Sequence, residues 1–284
     1  MAMTLSCRNW SVGEGWTHLP QYREKMPRWA ESRELLDHYF ATQDTLQEHK
    51  QERARLNTAL QYAQKAEAHR RQMTSNIAHE LKTPLAVIHS YAEGLRERVA
   101  EEKRDRYLEV ILSETERTDG MVLELLDLSR LEAGKVKLAR ETVSLAALIR
   151  AIFEKLERAA AEKHLTIDYD CPGDGTVTAD ESRMAQVLEN LATNAIKYTP
   201  PAGRITVTIR ADRSGTTFTM ENDSPPLPQD ALHHVWDPFY RADAARSGGG
   251  TGLGLVIAKN IITLHGGTCF ARNTKTGVAF GFTI

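Results

Sequence analysis

From about Glu34 to Leu95 the chain contains one glycine, Gly94, and one proline, Pro84, and is rich in Leu, Ala, Glu, Gln, Lys and Arg. That is helix-forming composition over a span too long for a globular helix without partners. Between Ile77 and Leu95 apolar residues recur at a four-three spacing through Leu81, Pro84, Ile88 and Tyr91, a seam that needs another helix against it. Upstream the seam continues less cleanly through Leu46, Leu56, Leu60 and Ala63, with His49 and Arg53 interrupting it, as in a signalling coiled coil. The charged stretch Arg96 to Asp105 reads as a turn. A second helix is expected from about Arg106 to Leu131, carrying Leu108, Ile111, Leu112, Val122, Leu125 and Leu126. Two helices on a short connection make an antiparallel hairpin. A hairpin cannot bury an apolar seam by itself, so two chains are expected to pair into a four-helix bundle. The polar middle of the second helix, Ser113 to Gly120, falls level with His79 by counting back from the turn, and offers a docking surface for a partner.

Ala133-Gly134 ends the second helix as a glycine C-cap. From Glu141 the pattern changes to mixed helix and strand. Ser144 to Glu162 reads as helix, Leu165 to Asp170 and Thr176 to Thr178 as extended, and Asp180 to Tyr198 as a helix capped by Asp180. Ile205, Val207 and Ile209 alternate with polar residues, as do Phe218 and Met220, and Asp-Arg-Ser-Gly between them predicts a hairpin turn. A helix near Leu255 to Leu264 and strands near Thr268 to Arg272 and Val278 to Ile284 complete a domain of helices packed on one face of a largely antiparallel sheet.

A chain of 284 residues has room for these two domains. With 26% charged residues and a formal net charge of −2, nothing favours nucleic acid or an anionic membrane as the main partner. No run of about 18 apolar residues exists to cross a membrane, and Met-Ala-Met-Thr-Leu-Ser is too short for the apolar core of a signal peptide. Cys7, Cys171 and Cys269 lack the paired spacing of a zinc site or disulfide framework, which fits a reducing cytoplasm. Residues 1–32 hold Trp10, Trp16 and Trp29 but no periodicity, and declare no function.

Three stretches carry chemistry. Asn76 to Leu85 places His79, Glu80 and Thr83 within one and a half helical turns, with His79 and Thr83 on one side. Pro84 removes the hydrogen bond to the Glu80 carbonyl, so a bend is expected beside the histidine. A zinc-protease helix is excluded, because position 83 is not histidine. Asn190 and Asn194 share a helix face, followed by Lys197 and Tyr198; amide oxygens can ligate Mg²⁺ beside nucleotide phosphates, and an ammonium can neutralise phosphate charge. Ser247-Gly-Gly-Gly-Thr-Gly-Leu-Gly-Leu255 opens a helix, and glycines there let backbone N–H groups approach phosphates. It lacks the Lys-Ser/Thr of a Walker loop and the preceding strand of a dinucleotide fold, so alone it reads equally as a flexible loop.

Together these stretches carry a resemblance. His79-Glu-Leu-Lys-Thr-Pro-Leu85, Asn190-Leu-Ala-Thr-Asn-Ala-Ile-Lys-Tyr-Thr199, Trp236-Asp-Pro-Phe-Tyr-Arg241 and Gly250-Thr-Gly-Leu-Gly-Leu255 resemble the H, N, F and G2 boxes of two-component sensor histidine kinases, in that order. The resemblance covers roughly residues 70 to 284. It implies an α+β chain: residues 1–32 without an assigned role, a helical signalling segment at 33–72, a dimerisation and histidine-phosphotransfer hairpin at 73–140, and at 141–284 an α/β sandwich ATP-binding domain of the kind shared with gyrase, Hsp90 and MutL. It further implies that His79 is phosphorylated from ATP, with Glu80 orienting the imidazole, and that the phosphoryl group passes to an aspartate of a response regulator. Thr83 matches the residue that helps such kinases dephosphorylate the regulator. Asn190 and Asn194 are the implied Mg²⁺ ligands. Lys197, Tyr198, Asn222, Arg241, Gly250, Thr251, Gly252, Leu253 and Gly254 are the implied nucleotide contacts, with Arg246 on the lid between Asp237 and Gly249. The implied setting is cytoplasmic, either as a separate kinase or at the cytoplasmic face of a membrane receptor.

One box departs from the pattern. The family's Asp-x-Gly-x-Gly is Asn222-Asp-Ser-Pro-Pro226 here, which also resembles glycopeptide-resistance sensor kinases. An amide can still accept from the adenine amino group, but a charge-assisted bond contributes about 1.5–3 kcal/mol against about 0.5–1.5 for a neutral one. The change is expected to cost roughly 1 kcal/mol, or several-fold in ATP affinity. Two rival readings are a scaffold that no longer binds nucleotide and a chaperone-type ATP switch; the intact glycine cluster argues against the first, and a histidine-glutamate pair has no use in the second.

Overall fold

In a computed structural model, the described residues are 26–97, 101–212, 215–241 and 251–284. The three features placed in 1–25 (Cys7, Trp10 and Trp16), the tip of the predicted hairpin turn, and Arg246 and Gly250 lie outside them.

Helix α1 spans Met26–Arg96. The chain divides into two compact units at Arg71 and Gln72. In the first unit Thr42, Thr45 and Thr58 each return their hydroxyl to the carbonyl four residues back, and Arg70 and Arg71 both pair with Glu67. Leu56 and Leu60 are exposed by 61% and 56%, so these two seam residues have no cover among the described residues.

The second unit begins with the remainder of α1, which continues as helix through Pro84. The seam residues Ile77, Leu81, Ile88, Tyr91 and Leu95 are all half-buried and Pro84 is buried. The second helix of the hairpin, α2, is Arg104–Glu132 and follows a short 3₁₀ turn at Glu101–Lys103. The Tyr91 and Tyr107 rings meet edge to face at 5.0 Å. Gly94 makes room for that contact, since a Cβ there would lie 2.9 Å from the Tyr107 ring. Leu85, Leu108, Leu112, Leu123 and Leu126 remain exposed on the hairpin, more apolar surface than one hairpin can cover.

The rest of the unit is a five-stranded sheet with helices against it. Strands β2 (Thr166–Asp170), β4 (Arg204–Asp212), β5 (Gly215–Asp223), β7 (Gly277–Thr283) and β6 (Thr268–Asn273) lie in the spatial order β2-β4-β5-β7-β6. Only the β2–β4 pair is parallel, so the sheet is mixed and mostly antiparallel, as expected. Helices α3 (Leu145–Lys155), α5 (Glu181–Tyr198) and α7 (Gly254–Leu264) lie side by side, α5 and α7 reaching the sheet, and the short α6 (Gln229–His234) touches β6. Alternation along β4 and β5 turns Ile205, Val207, Ile209, Phe218 and Met220 into a common core, where Phe218 stacks on Phe282 at 5.3 Å.

Two local readings are corrected. The helix expected from Ser144 to Glu162 is interrupted at Leu156, with α4 at Glu157–Glu162, and begins only after a strand, β1 (Glu141–Ser144). That strand pairs antiparallel with β3 (Thr176–Ala179), a partner 35 residues on, so local composition does not show it. Ser144 itself is the cap of α3, its Oγ accepting from the Ala147 N–H. The expected cap at Asp180 is present: Oδ1 accepts from the Arg183 N–H at 3.0 Å, while Oδ2 accepts from the Ala139 N–H at 2.9 Å and so pins the segment leading from the hairpin to the first strand. Burial works against ionising Asp180, but these two bonds hold its carboxyl below the usual range.

Candidate nucleotide-binding site

A cavity of about 690 Å³ opens between α5, α7, the β5 and β7 ends and helix α2. Its floor follows from strand register: Asn222 lies opposite Val278, and Met220 opposite Phe280, so Asn222, Val278 and Phe280 converge on one patch that lines the cavity. Asn222 is 3% exposed, and its Nδ2 donates to the Asp223 carbonyl at 3.3 Å, leaving Oδ1 as its acceptor. Pro225 and Pro226 form the adjoining rim. Trp236 packs edge to face on Phe280 at 6.0 Å, anchoring the segment that leads to Arg241.

The opposite end is polar. Asn190, Thr193, Asn194 and Lys197 line it on successive turns of α5. Asn190 Nδ2 donates to the Gly254 carbonyl at 3.0 Å, tying α5 to the start of α7 and leaving its Oδ1 as an acceptor. Burial lowers the pKa of the Lys197 ammonium, and the nearby Arg241 and Arg117 guanidiniums lower it further. Three cations repelling one another beside a cavity are a place for anions. The C-terminus of α5 is fastened by Lys163, whose ammonium donates to the carbonyls of Ile196, Lys197 and Thr199.

Gly252 requires glycine. Its φ is +71°, and a Cβ would sit 2.8 Å from the Cα of Phe239. Phe239 itself holds φ of +65° and donates its N–H to the Gly252 carbonyl at 3.0 Å, so the two segments lock face to face in left-handed conformations, which glycine adopts freely and phenylalanine does not. Thr251 Oγ1 accepts from the Leu253 N–H at 3.2 Å and donates to Glu124 on α2 at 2.5 Å.

Of the residues expected to contact nucleotide, Asn190, Asn194, Lys197, Tyr198, Asn222, Arg241, Thr251, Gly252 and Gly254 line this cavity. Leu253 does not: it is fully buried in the core, because α7 turns that side chain toward the sheet. His79, Glu80 and Thr83 stand apart on α1, none of them lining the cavity. His79 is exposed. No hydrogen bond joins its ring to Glu80 among the described residues, since neighbouring positions diverge around a helix. Thr83 Oγ1 donates to the His79 carbonyl at 3.3 Å.

Among the lining residues that escaped sequence reasoning are Val278, Phe280 and Glu124. Val278 and Phe280 become wall only through strand pairing. Glu124 had a readable signal: it is three residues from Met121 and four from Leu128, so it lies on the apolar stripe continued by Leu131, where a carboxylate needs a reason. Asp127 on the same helix accepts from Arg183 at 2.8 Å and Gln186 at 2.8 Å, fixing α2 to α5.

This sheet, cavity and glycine-opened helix define a nucleotide-binding domain of the histidine kinase, DNA gyrase B and HSP90-like ATPase type, whose family model matches residues 179–284. The His Kinase A phospho-acceptor model matches residues 69–134. The chain belongs to the sensor histidine kinases of two-component systems. It is 34% identical over 229 residues to the sensor histidine kinase WalK of Bacillus subtilis (strain 168), covering 78% of this chain and 37% of that protein. It thus spans only about a third of that relative's length. In fold it matches the Acinetobacter baumannii histidine kinase AdeS, with a TM-score of 0.63 at 24% identity over 72% of this chain and 96% of that one. It also matches histidine kinase ThkA in complex with the response regulator TrrA, with a TM-score of 0.62 at 27% identity over 75% of this chain and 60% of that one.

Proposed function

We propose that this chain is an ATP-dependent protein-histidine kinase. The observation that carries the reading is the separation of its parts: an exposed histidine on a hairpin helix, and a nucleotide-sized cavity with an apolar floor and a cationic end in a second domain. A neutral ring nitrogen of His79 attacks the γ-phosphorus of ATP. The bond to the β-phosphate oxygen breaks, ADP leaves, and the positive charge formed on the imidazole is offset by Glu80 once the ring turns toward it. The phosphoryl group then passes to an aspartate carboxylate of a response regulator, the kind of partner ThkA is bound to. The Thr83 hydroxyl, on the same face as His79, serves the opposing hydrolysis, in which water attacks the regulator's aspartyl phosphate and releases inorganic phosphate and the free carboxylate.

Adenine fits the floor, with its amino group toward Asn222, and the phosphates fit the end lined by Lys197, Arg241, Gly252 and Gly254. Magnesium is an oxygen-seeking ion. No cluster of three or more acidic, histidine or cysteine side chains exists among the described residues to hold it alone. The amide oxygens of Asn190 and Asn194 suit a metal that arrives with the triphosphate, where it neutralises phosphate charge. The exposed leucines of the hairpin are the surface on which a second copy completes a four-helix bundle. No helix among the described residues is long and apolar enough to cross a membrane, and ATP and response regulators place the activity in the cytoplasm or at its membrane face.

Incubation with γ-labelled ATP and Mg²⁺ is expected to give a label on the protein that is lost in acid and kept in base. The label is expected to vanish in His79→Gln; a label persisting in that variant overturns the assignment.

A further inference from the structure

Glu124 belongs to the hairpin, yet its carboxylate forms part of the cavity wall. Its Oε2 accepts a hydrogen bond from the Thr251 hydroxyl at 2.5 Å, and Thr251 Oγ1 in turn accepts from the Leu253 N–H. The carboxylate therefore lies one hydroxyl away from the N-terminus of the eleven-residue helix α7, where the positive end of the helix and the Gly252–Gly254 backbone favour an anion. It occupies the electrostatic position that nucleotide phosphates would take. The contact is built: Asp127, one turn on, is gripped by Arg183 and Gln186, and Met121, Leu128 and Leu131 are buried beside it. Burial raises the pKa of the Glu124 carboxyl, opposed by the Thr251 bond, so added negative charge nearby would further disfavour its ionised form.

We propose that Glu124, while α2 rests on α7, is a specificity-determining residue of the nucleotide site: its carboxylate disfavours nucleotides in proportion to their phosphate number, so that ATP and the docked hairpin exclude one another more strongly than ADP and the docked hairpin do. The proposal rests on reading the cavity as an ATP site. Each added phosphate brings negative charge toward the same end, and repulsion between close charges in partly buried surroundings changes affinity by about tenfold or more. ATP entry would thus lift α2 from α7 and free the ATP-binding domain to move, whereas ADP leaves the contact closer to its resting state.

The test is calorimetric titration of the full chain with AMP, ADP and ATP in the presence of Mg²⁺, in a His79→Gln background so that ATP is not consumed. Glu124→Gln keeps an acceptor for Thr251 and removes the charge. It is expected to tighten ATP about tenfold and ADP about threefold, and to leave AMP unchanged. Asp127→Asn, which keeps the Glu124 charge but loosens the docking, is expected to tighten ATP in the same order. Equal changes for all three nucleotides, no change, or weaker ATP binding in Glu124→Gln each overturns the proposal. If ATP binds with an unaltered preference, only this proposal fails; if no nucleotide binds in any variant, the ATP-site reading fails with it.

Discussion

The hairpin and the ATP-binding domain handle their reactive groups in opposite ways. His79 stands exposed on a helix, with its neighbours Thr83 and Glu80 held by little more than the helix itself. Asn222 is 3% exposed, and its position depends on two strand pairings beside an edge-to-face Trp236–Phe280 pair. In the proposed reaction the phosphoacceptor is visited by two large partners in turn, the ATP-binding domain and a regulator, so it needs access more than precision. A nucleotide site must desolvate a base and gather cations around phosphates, which only a packed interior can do. Chemistry and stability are therefore separable in the hairpin and joined in the ATP-binding domain.

Substitutions can break that contrast. The largest effect is expected from His79→Gln, which should remove all phosphorylation while shifting the unfolding midpoint by less than about 1 °C, since exposed positions contribute little to stability; a clear loss of stability in a melting curve would contradict the contrast. Gly252→Ala comes next. Its Cβ would collide with the Phe239 backbone in a left-handed conformation, so ATP affinity is expected to fall by about a hundredfold or more and stability by roughly 1–3 kcal/mol, read by calorimetry and denaturant unfolding. Asp127→Ala removes the acceptor of Arg183 and Gln186, both largely shielded, and is expected to cost about 1–2 kcal/mol in denaturant unfolding. Asn222→Asp sharpens the comparison from the other side: restoring a charge-assisted bond to adenine should tighten ATP several-fold, about 1 kcal/mol, and an unchanged dissociation constant would remove Asn222 from base recognition. The smallest effect is expected from Thr83→Ala, which should slow regulator dephosphorylation and leave autophosphorylation and melting alone, as followed by phosphate release.

The sequence was most legible where structure is local. The glycine-free run before Gly94, the Asp180 cap and the alternation through Ile205, Val207 and Ile209 each depend on neighbours within a few residues, and each element formed along its pattern, although α1 begins at Met26 rather than near Glu34. It was least legible at β1, which is a strand only because β3 pairs with it, and at Leu253, whose motif invites a phosphate contact but whose side chain the helix turns into the core.

The boxes around His79, Asn190, Trp236 and Gly250 are short and chemically constrained, and periodicity assigns most of them to helices, so the sequence alone determined the family, and from it come the proposed reaction and its proposed reacting residue. Tertiary structure decided which surfaces meet. Val278 and Phe280 became the floor of the cavity through register, and Glu124 came to lie against Thr251 through packing of residues 127 positions apart. Contacts between distant segments depend on the balance of burial and ion pairing across whole faces, and no spacing in the chain records that balance.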